Sequence, residues 1–330
     1  MDNARRLLYR VAQAYYDEDL TQAEVAERFG ISRIKVSRML TRAREDGIVR
    51  IAVVPPQENH ADLERELEER FGLDEAIVVA PDDEGYDEVL EAIGRAAADY
   101  VVRVLEDGQT LGLTWGNTIL ATVSALPPAS LPDVRAVQML GGLGELEAEI
   151  HGAELVRLAA ERLGCRARNM HAPGIVASRE VRDALAADPQ VADTLELAAS
   201  ADVALLGVGA LGPHSVLRGP ESVLAEDDCR MLRELGVVGD IALRFFDADG
   251  APVDTPFAER TIGVDLERMR RVGKRVGIAG GREKRAAVLA ALRGSHVDVL
   301  VTDRDTAQAV VREQHRPALR KPERPAKGRS

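Results

Sequence analysis

In the first fifty residues the apolar positions recur at helical spacing. Leu7, Leu8, Val11, Ala12, Tyr15 and Tyr16 share one face of a helix predicted over residues 3–17. Thr21 followed by Glu24 has the spacing of a capping box. It predicts a second helix that turns Val25, Ala26 and Phe29 inward and stops at Gly30. Ser32 then caps a third helix reaching Asp46. Small Ala26 lets the two short helices cross closely, with Val25, Ile31, Val36 and Leu40 between them. After Gly47 the run IVRIAVV alternates weakly up to Pro55, as a small wing or a connecting strand would.

Further on, Leu63, Leu67 and Phe71 draw a narrow apolar stripe on a charged helix. That stripe docks on the protein's own body or serves a dimer contact, and it is too short to specify a coiled coil. From residue 76 the period changes. Short Val/Leu/Ile runs at 76–80, 110–115, 135–140, 202–208, 241–246, 275–280 and 297–303 are predicted strands. Helices are predicted near 87–106, 117–126, 147–163, 180–187, 190–199, 225–235, 282–293 and 304–313. Continuous apolar strands separated by helices imply an α/β, Rossmann-like, mostly parallel sheet covered on both faces. The expected organisation is a helical domain at 1–55, a helical linker at 56–75, an α/β domain at 76–313 and a disordered basic tail at 314–330.

Composition adds limits. The 330 residues are 45% hydrophobic and 30% charged, enough for a sizeable core, but only 3% aromatic. Two cysteines exclude a disulfide framework, and the six histidines show no metal-ligand spacing. No apolar run is long enough to span a membrane and the N-terminus lacks a signal-peptide core, so a cytoplasmic protein is expected. The net charge of -12 argues against nucleic acid until its distribution is considered. Between Ser32 and Arg50, six basic residues (Arg33, Lys35, Arg38, Arg42, Arg44 and Arg50) face two acidic ones. The tail from Arg312 is also basic, either a solubilising segment or a nonspecific DNA-binding arm. Charge acts within about 10 Å at ordinary ionic strength, so an acidic body does not prevent a basic segment from meeting phosphate.

The third helix shows what that segment is for. Val36, Met39, Leu40 and Ala43 cluster on one side, whereas Arg33, Ile34, Ser37, Arg38 and Thr41 occupy the other. An outward Ile34 suits a thymine methyl, arginines suit guanine edges, and Ser37 or Thr41 reaches bases or phosphate. Lys35 and Arg42 flank this face and suit backbone phosphates. With Ser32 as its cap, this is the second helix of a helix-turn-helix, the one that enters the major groove of operator DNA. A helical hairpin with no DNA role shares the geometry but not the basic outer face.

In a parallel sheet, ligands bind at the carboxyl ends of strands. Gly112–Thr118 is a strand, a glycine turn and a helix start; Thr114, Gly116, Asn117 and Thr118 there would cradle an anion. Gly280-Gly281-Arg282-Glu283-Lys284 has the same form, and Lys284 sits where a cation gains nothing from the helix dipole unless an anion is near. Gly207–Gly212 matches the dinucleotide fingerprint, but Pro213-His214-Ser215 follows it where a helix should start, so a loop admitting a sugar is the better reading. Asp240 could hold sugar hydroxyls or serve a turn, Gly141 and Gly142 close another strand end and are expected among the effector-binding residues, and His171 is a weak ligand candidate.

The motifs LTQAEVAERFGISRIKVSRML, GLTWGNT, MLGGLGE, HAPGIVAS, ADVALLGVG, GVVGDI, GIAGGREKRAAVLAAL and VDVLVTDRDTA, in this order, resemble the SorC family of sugar-responsive bacterial transcriptional regulators over residues 5–313. The resemblance implies a sensor domain related to sugar-phosphate isomerases and deaminases, without catalysis or cofactor, in a homodimer or homotetramer. It places Thr114, Gly116, Asn117, Thr118 and Lys284 at the phosphate end of an effector and Asp240 at its sugar end. Gly207 and Gly209 would line the same site. The loop after Met139 has no lysine, which argues against covalent imine capture of an aldehyde there. The competing readings are an isomerase or deaminase with an appended DNA-binding domain, and a nucleotide-sensing regulator resting on GVGALG.

Overall fold

A computed structural model of the chain describes residues 3–49, 60–81, 85–142, 152–212, 215, 217 and 224–313. The segment from residue 50, where a wing was expected, and the basic tail from 314 lie outside the described residues. The chain divides into two compact units, residues 1–59 and 60–330.

The first unit contains α1 (Asn3–Tyr16), α2 (Gln22–Phe29) and α3 (Arg33–Glu45). Local chemistry fixes where each helix ends. Thr21 and Glu24 complete the reciprocal capping box of α2, and Gly30 ends it in the left-handed conformation at φ 62°. Ser32 Oγ accepts the Lys35 N–H at 3.2 Å and so starts α3. Leu8, Val11, Val25, Val36, Leu40 and Ala43 are buried together. Phe29, expected inward, is only partly covered, with the Arg10 and Arg28 guanidinium groups over its ring.

The second unit begins with α4 (Ala61–Phe71), the helix expected to act as a linker. It is docked on its own unit: Leu67 and Phe71 are core residues, and its acidic side holds a strand edge. Strand β1 (Glu75–Val79) borders the sheet. Its outward Ala76 and Val78 N–H groups, both 2.9 Å from an acceptor, donate to the Glu68 and Glu64 carboxylates. Two glutamates one helical turn apart thus take the place of a missing neighbour strand.

The sheet proper runs β1-β9-β8-β5-β2-β3-β4, with every pair parallel. These are β2 (Thr110–Leu113), β3 (Arg135–Gln138), β4 (Arg166–Arg168), β5 (Val203–Gly209), β8 (Lys274–Ile278) and β9 (Val299–Asp303). Side-chain alternation supplies both faces. Val203 and Leu205 join a cluster beneath α5 (Tyr86–Val104), α6 (Asn117–Ala125) and α7 (Gly152–Leu163). Ala204, Leu206 and Val208 face α9 (Pro189–Ala199), α10 (Glu226–Glu234), α12 (Arg285–Arg293) and α13 (Arg304–Arg312). The remaining short helices are α8 (Arg179–Ala186) and α11 (Leu266–Met269).

One predicted strand is wrong in kind. Residues 241–246 do not form a strand of the parallel sheet. They belong to an antiparallel hairpin, β6 (Gly239–Ile241) and β7 (Arg244–Phe246), with β6 against the end of β5. Its turn residues Ala242 and Leu243 both have positive φ, 52° and 61°. A two-residue hairpin needs that geometry, and glycine or asparagine normally supplies it. Here Leu243 is fully buried, and burial of a leucine side chain, worth about 1.5–3 kcal/mol, offsets the about 1–2 kcal/mol per residue of left-handed strain. Sequence periodicity registers the burial and not the turn.

The Glu64 and Glu68 bonds predict a measurable edge effect. Glu64→Ala and Glu68→Ala each leave a buried backbone donor unpaired and should cost about 1–3 kcal/mol, read as a lower urea midpoint. Unchanged midpoints in both variants would mean that water serves those amides equally well.

Candidate effector pocket and DNA-reading helix

The carboxyl ends of β2, β5 and β8 meet the first turns of α5 and α6 around a cavity of about 220 Å³. Of the effector residues expected from the sequence, Gly116, Asn117, Thr118, Gly207, Gly209, Asp240 and Lys284 line it. Gly116 stands at the N-cap of α6 with φ 115°, a conformation that glycine alone adopts readily. Asn117 Nδ2 donates to the Tyr86 hydroxyl at 3.1 Å, joining the starts of α5 and α6 across the cavity mouth. Gly207 and Gly209 are in strand β5 itself, and among the described residues no helix starts between β5 and α10 to serve a dinucleotide fingerprint.

Three expected residues do not line the cavity. Thr114 is buried between strands: its hydroxyl donates to the Leu205 carbonyl at 3.1 Å and accepts the Gly207 N–H at 3.0 Å. It aligns β2 with β5 and thereby sets Gly207, without lining the cavity itself. Gly141 and Gly142 lie in another loop cluster, where their N–H groups donate to the Ile262 and Ala172 carbonyls. A Cβ on Gly141 would come within 2.6 Å of the Pro173 backbone, so close packing explains that glycine. His171 is exposed and outside the cavity lining.

The cavity also has walls that the sequence reading missed. Trp115, which also packs against the core on both faces of the sheet, lines it together with Tyr86, Leu90 and Ile93. Two aromatics placed at helix starts in a chain with so few were the available signal. Arg282 and Glu283 flank Lys284 on the glycine turn, where Gly281 takes φ 88°.

Electrostatics separate the two ends. Asp240 is 7% exposed and lies so near β5 that a Cβ on Gly209 would be 2.1 Å from its Oδ1. Its Oδ2 accepts the Leu243 N–H at 3.1 Å, the bond made by the strained turn. Burial pushes the Asp240 carboxyl up to about 6, against the opposing pull of the Leu243 N–H and Lys284. Burial pushes the Lys284 ammonium down to about 8, opposed by Asp240 and Glu283. Among the described residues the Lys284 ammonium makes no hydrogen bond or ion pair, and Asp240 has no cationic partner in contact. Both groups thus line one cavity with hydrogen-bonding capacity to spare.

On the first unit, Arg33, Ile34, Lys35, Ser37, Arg38, Thr41 and Arg42 are all exposed, and Ile34 reaches 69%. The Thr41 hydroxyl donates to the Ser37 carbonyl at 3.2 Å, and Arg42 lies 3.5 Å from Asp46 in an exposed pair that holds it weakly. Ser32 is the helix cap.

Comparisons with known proteins agree with both surfaces. Residues 55–312 match the sugar-binding domain family (Sugar-bind), and residues 10–46 match sigma-70 region 4. The sorbitol operon regulator of Klebsiella pneumoniae is 35% identical over 93% of this chain and 98% of its own length. The chain belongs to the SorC family of transcriptional regulators. The crystal structure of full-length SorC from that organism superposes with a TM-score of 0.72 at 34% identity, covering 93% of this chain and 99% of that one. The deoxyribonucleoside regulator of Bacillus subtilis is 32% identical over 93% of this chain and 97% of its own length. This SorC-family chain is thus a DNA-binding transcriptional regulator with a sugar-binding domain, not an enzyme carrying a DNA-binding appendage. Among the described residues no cluster of His, Cys, Asp and Glu is arranged to hold a metal, and no helix is long and apolar enough to cross a membrane.

The Asp240 shift has a definite sign. Its folded value near 6 exceeds the ordinary 3.8, so its contribution to stability is greatest below pH 4 and is lost as pH rises through 6. Asp240→Asn should therefore raise the ligand-free melting temperature at pH 7, by about 1–3 kcal/mol of stability, with the advantage shrinking below pH 5. A variant no more stable than wild type at pH 7 would mean that the carboxylate is well solvated.

Proposed function

We propose that this chain is a cytoplasmic regulator of a carbohydrate catabolic operon, whose hold on operator DNA is set by a phosphorylated sugar in the β2–β5–β8 pocket. The observation that carries this reading is the pairing of an unpartnered Lys284 on a glycine turn with a buried Asp240 in one cavity. The ammonium and the N-terminus of α6 suit a phosphate, while a carboxylate accepts hydrogen bonds from hydroxyls. The basic groups Lys284 and Arg282 share one turn, whereas Asp240 faces any second phosphate with like charge, so a monophosphate fits better than a bisphosphate. The names of the sorbitol and deoxyribonucleoside regulators are consistent with small polyol-like ligands. Two α3 helices meet successive major grooves when about 34 Å apart, which supports a homodimer or homotetramer. Effector then acts by favouring one subunit arrangement, to the extent that it binds the two arrangements unequally.

The test is a gel shift on the DNA upstream of the protein's own gene, with pentose and hexose monophosphates and a bisphosphate. A monophosphate should change the shift at concentrations where the bisphosphate does not; a response to the bisphosphate alone would overturn the assigned polarity. Arg38→Ala should weaken operator binding by about five- to 150-fold, as loss of a base contact worth about 1–3 kcal/mol implies, and leave effector binding intact. Lys284→Ala should keep basal DNA binding and abolish the effector response; an unchanged response curve would remove Lys284 from the site.

A further inference from the structure

Asp303 ends β9, is 4% exposed and does not line the pocket. Its two oxygens nevertheless serve two elements. Oδ2 accepts the Gly281 N–H at 2.6 Å, in the glycine turn that carries Lys284. Oδ1 accepts the Thr306 N–H at 2.8 Å and so caps α13. The Thr306 hydroxyl lies 3.5 Å from the Gly281 carbonyl, so the turn is held through both of its peptide groups. A Cβ on Gly280 would come within 2.4 Å of Asp303 Oδ2 and 2.3 Å of Ile93 Cδ1, so the turn is pinched between Asp303 and the pocket wall of α5. At the far end of α13 the Val311 carbonyl accepts a hydrogen bond from Arg70 of α4. Helix α4 is the first element of this unit and follows the segment that leads from the DNA-binding unit.

We propose that Asp303 is the positioning residue that sets the anion-binding turn for effector, and that the α13–Arg70 bond carries pocket occupancy to α4. This rests on the sugar-phosphate reading of the same pocket. An N-cap carboxylate alone needs one oxygen; here the second is spent on a ligand loop. The effect of effector on that loop is therefore felt at the start of a rigid helix whose other end grips α4. A ligand that settles the Gly281 turn in one position favours one placement of α13, and coupling follows only if the two placements bind effector unequally.

The experiment uses the full chain, with inorganic phosphate and ribose 5-phosphate as probes. Asp303→Asn keeps an acceptor for Thr306, since asparagine is a good N-cap, but turns an amide N–H₂ towards the Gly281 N–H. Asp303→Ser also caps α13 and is too short to reach Gly281. Both variants should bind the probes at least tenfold more weakly, with basal operator binding unchanged. Amide hydrogen exchange should quicken in residues 279–285 and stay slow in α13. Arg70→Met should bind the probes like wild type while the effector-dependent change in operator affinity shrinks severalfold. Wild-type probe affinity with unchanged exchange at 279–285 in both Asp303 variants would overturn the positioning role. A full effector response in Arg70→Met would overturn the relay. If the wild-type chain binds neither these probes nor any sugar monophosphate, the sugar-phosphate reading fails, and exchange at 279–285 still decides whether Asp303 holds the turn.

Discussion

Asp240 and Lys284 face one cavity without joining in an ion pair, and much of the second unit is arranged to keep them that way. Elsewhere the chain follows the usual rule for buried charge. Asp298, fully buried, is met by both ends of the Arg275 guanidinium at 2.7 and 2.9 Å. In the pocket the rule is broken on purpose. Gly209 gives the carboxylate room that any side chain would take. The Ala242–Leu243 turn supplies one N–H from a strained backbone, and the buried Leu243 side chain helps hold that strain. On the proposed reading, the fold tolerates poorly satisfied groups here because a ligand, rather than the protein, is to complete them.

The same division of labour appears in the charge balance. The net of -12 belongs to the chain as a whole, yet the outer face of α3 is basic and exposed along its length. Its buried face is Val36, Leu40 and Ala43, short side chains that let three small helices close on one another. Ile34 stands exposed among arginines, outside the core of the unit, and on the proposed reading it meets a base edge. Acidic residues find other work: Glu64 and Glu68 finish the edge of β1, and Glu24 finishes the cap of α2.

Local rules were legible because local chemistry decides them. The Thr21–Glu24 box, the Gly30 stop and the Ser32 cap involve neighbours within three residues. The glycine turns at Gly116 and Gly280–Gly281 were visible for the same reason: a strand followed by glycine and a helix start leaves little choice of backbone. What escaped was set by distant partners. Thr114 reads as a ligand group by its motif, but Leu205 and Gly207, some ninety residues away, take its hydroxyl. Gly141 and Gly142 close a strand as a ligand loop would, yet their N–H groups go to the Ile262 and Ala172 carbonyls, and Gly141 makes room for the Pro173 backbone. The hairpin at 239–246 hides its turn in an apolar run, since Leu243 had to be both turn and core. Strand β4, three exposed residues with two arginines, carries no apolar signal and is defined by its pairing with β3.

A sensor differs from a rigid binding site in how it spends ligand affinity, and the pocket's construction bears on that difference. A site whose polar groups were already satisfied would gain little from ligand and would have little to transmit. On the proposed reading a ligand gains most by reaching Lys284, whose turn is closed by its own Lys284 N–H to Gly281 carbonyl bond at 3.0 Å but relies on Asp303, the cap of another helix, to hold the Gly281 amide. At the opposite end Asp240 lies against Gly209 of β5 and accepts the Leu243 N–H. On the proposed reading, a ligand that bridges the two ends joins a carboxylate packed on the sheet to a turn shared with α13. The bonds from that turn then lead through Asp303 to α13 and through Val311 to Arg70 of α4, rather than into the sheet.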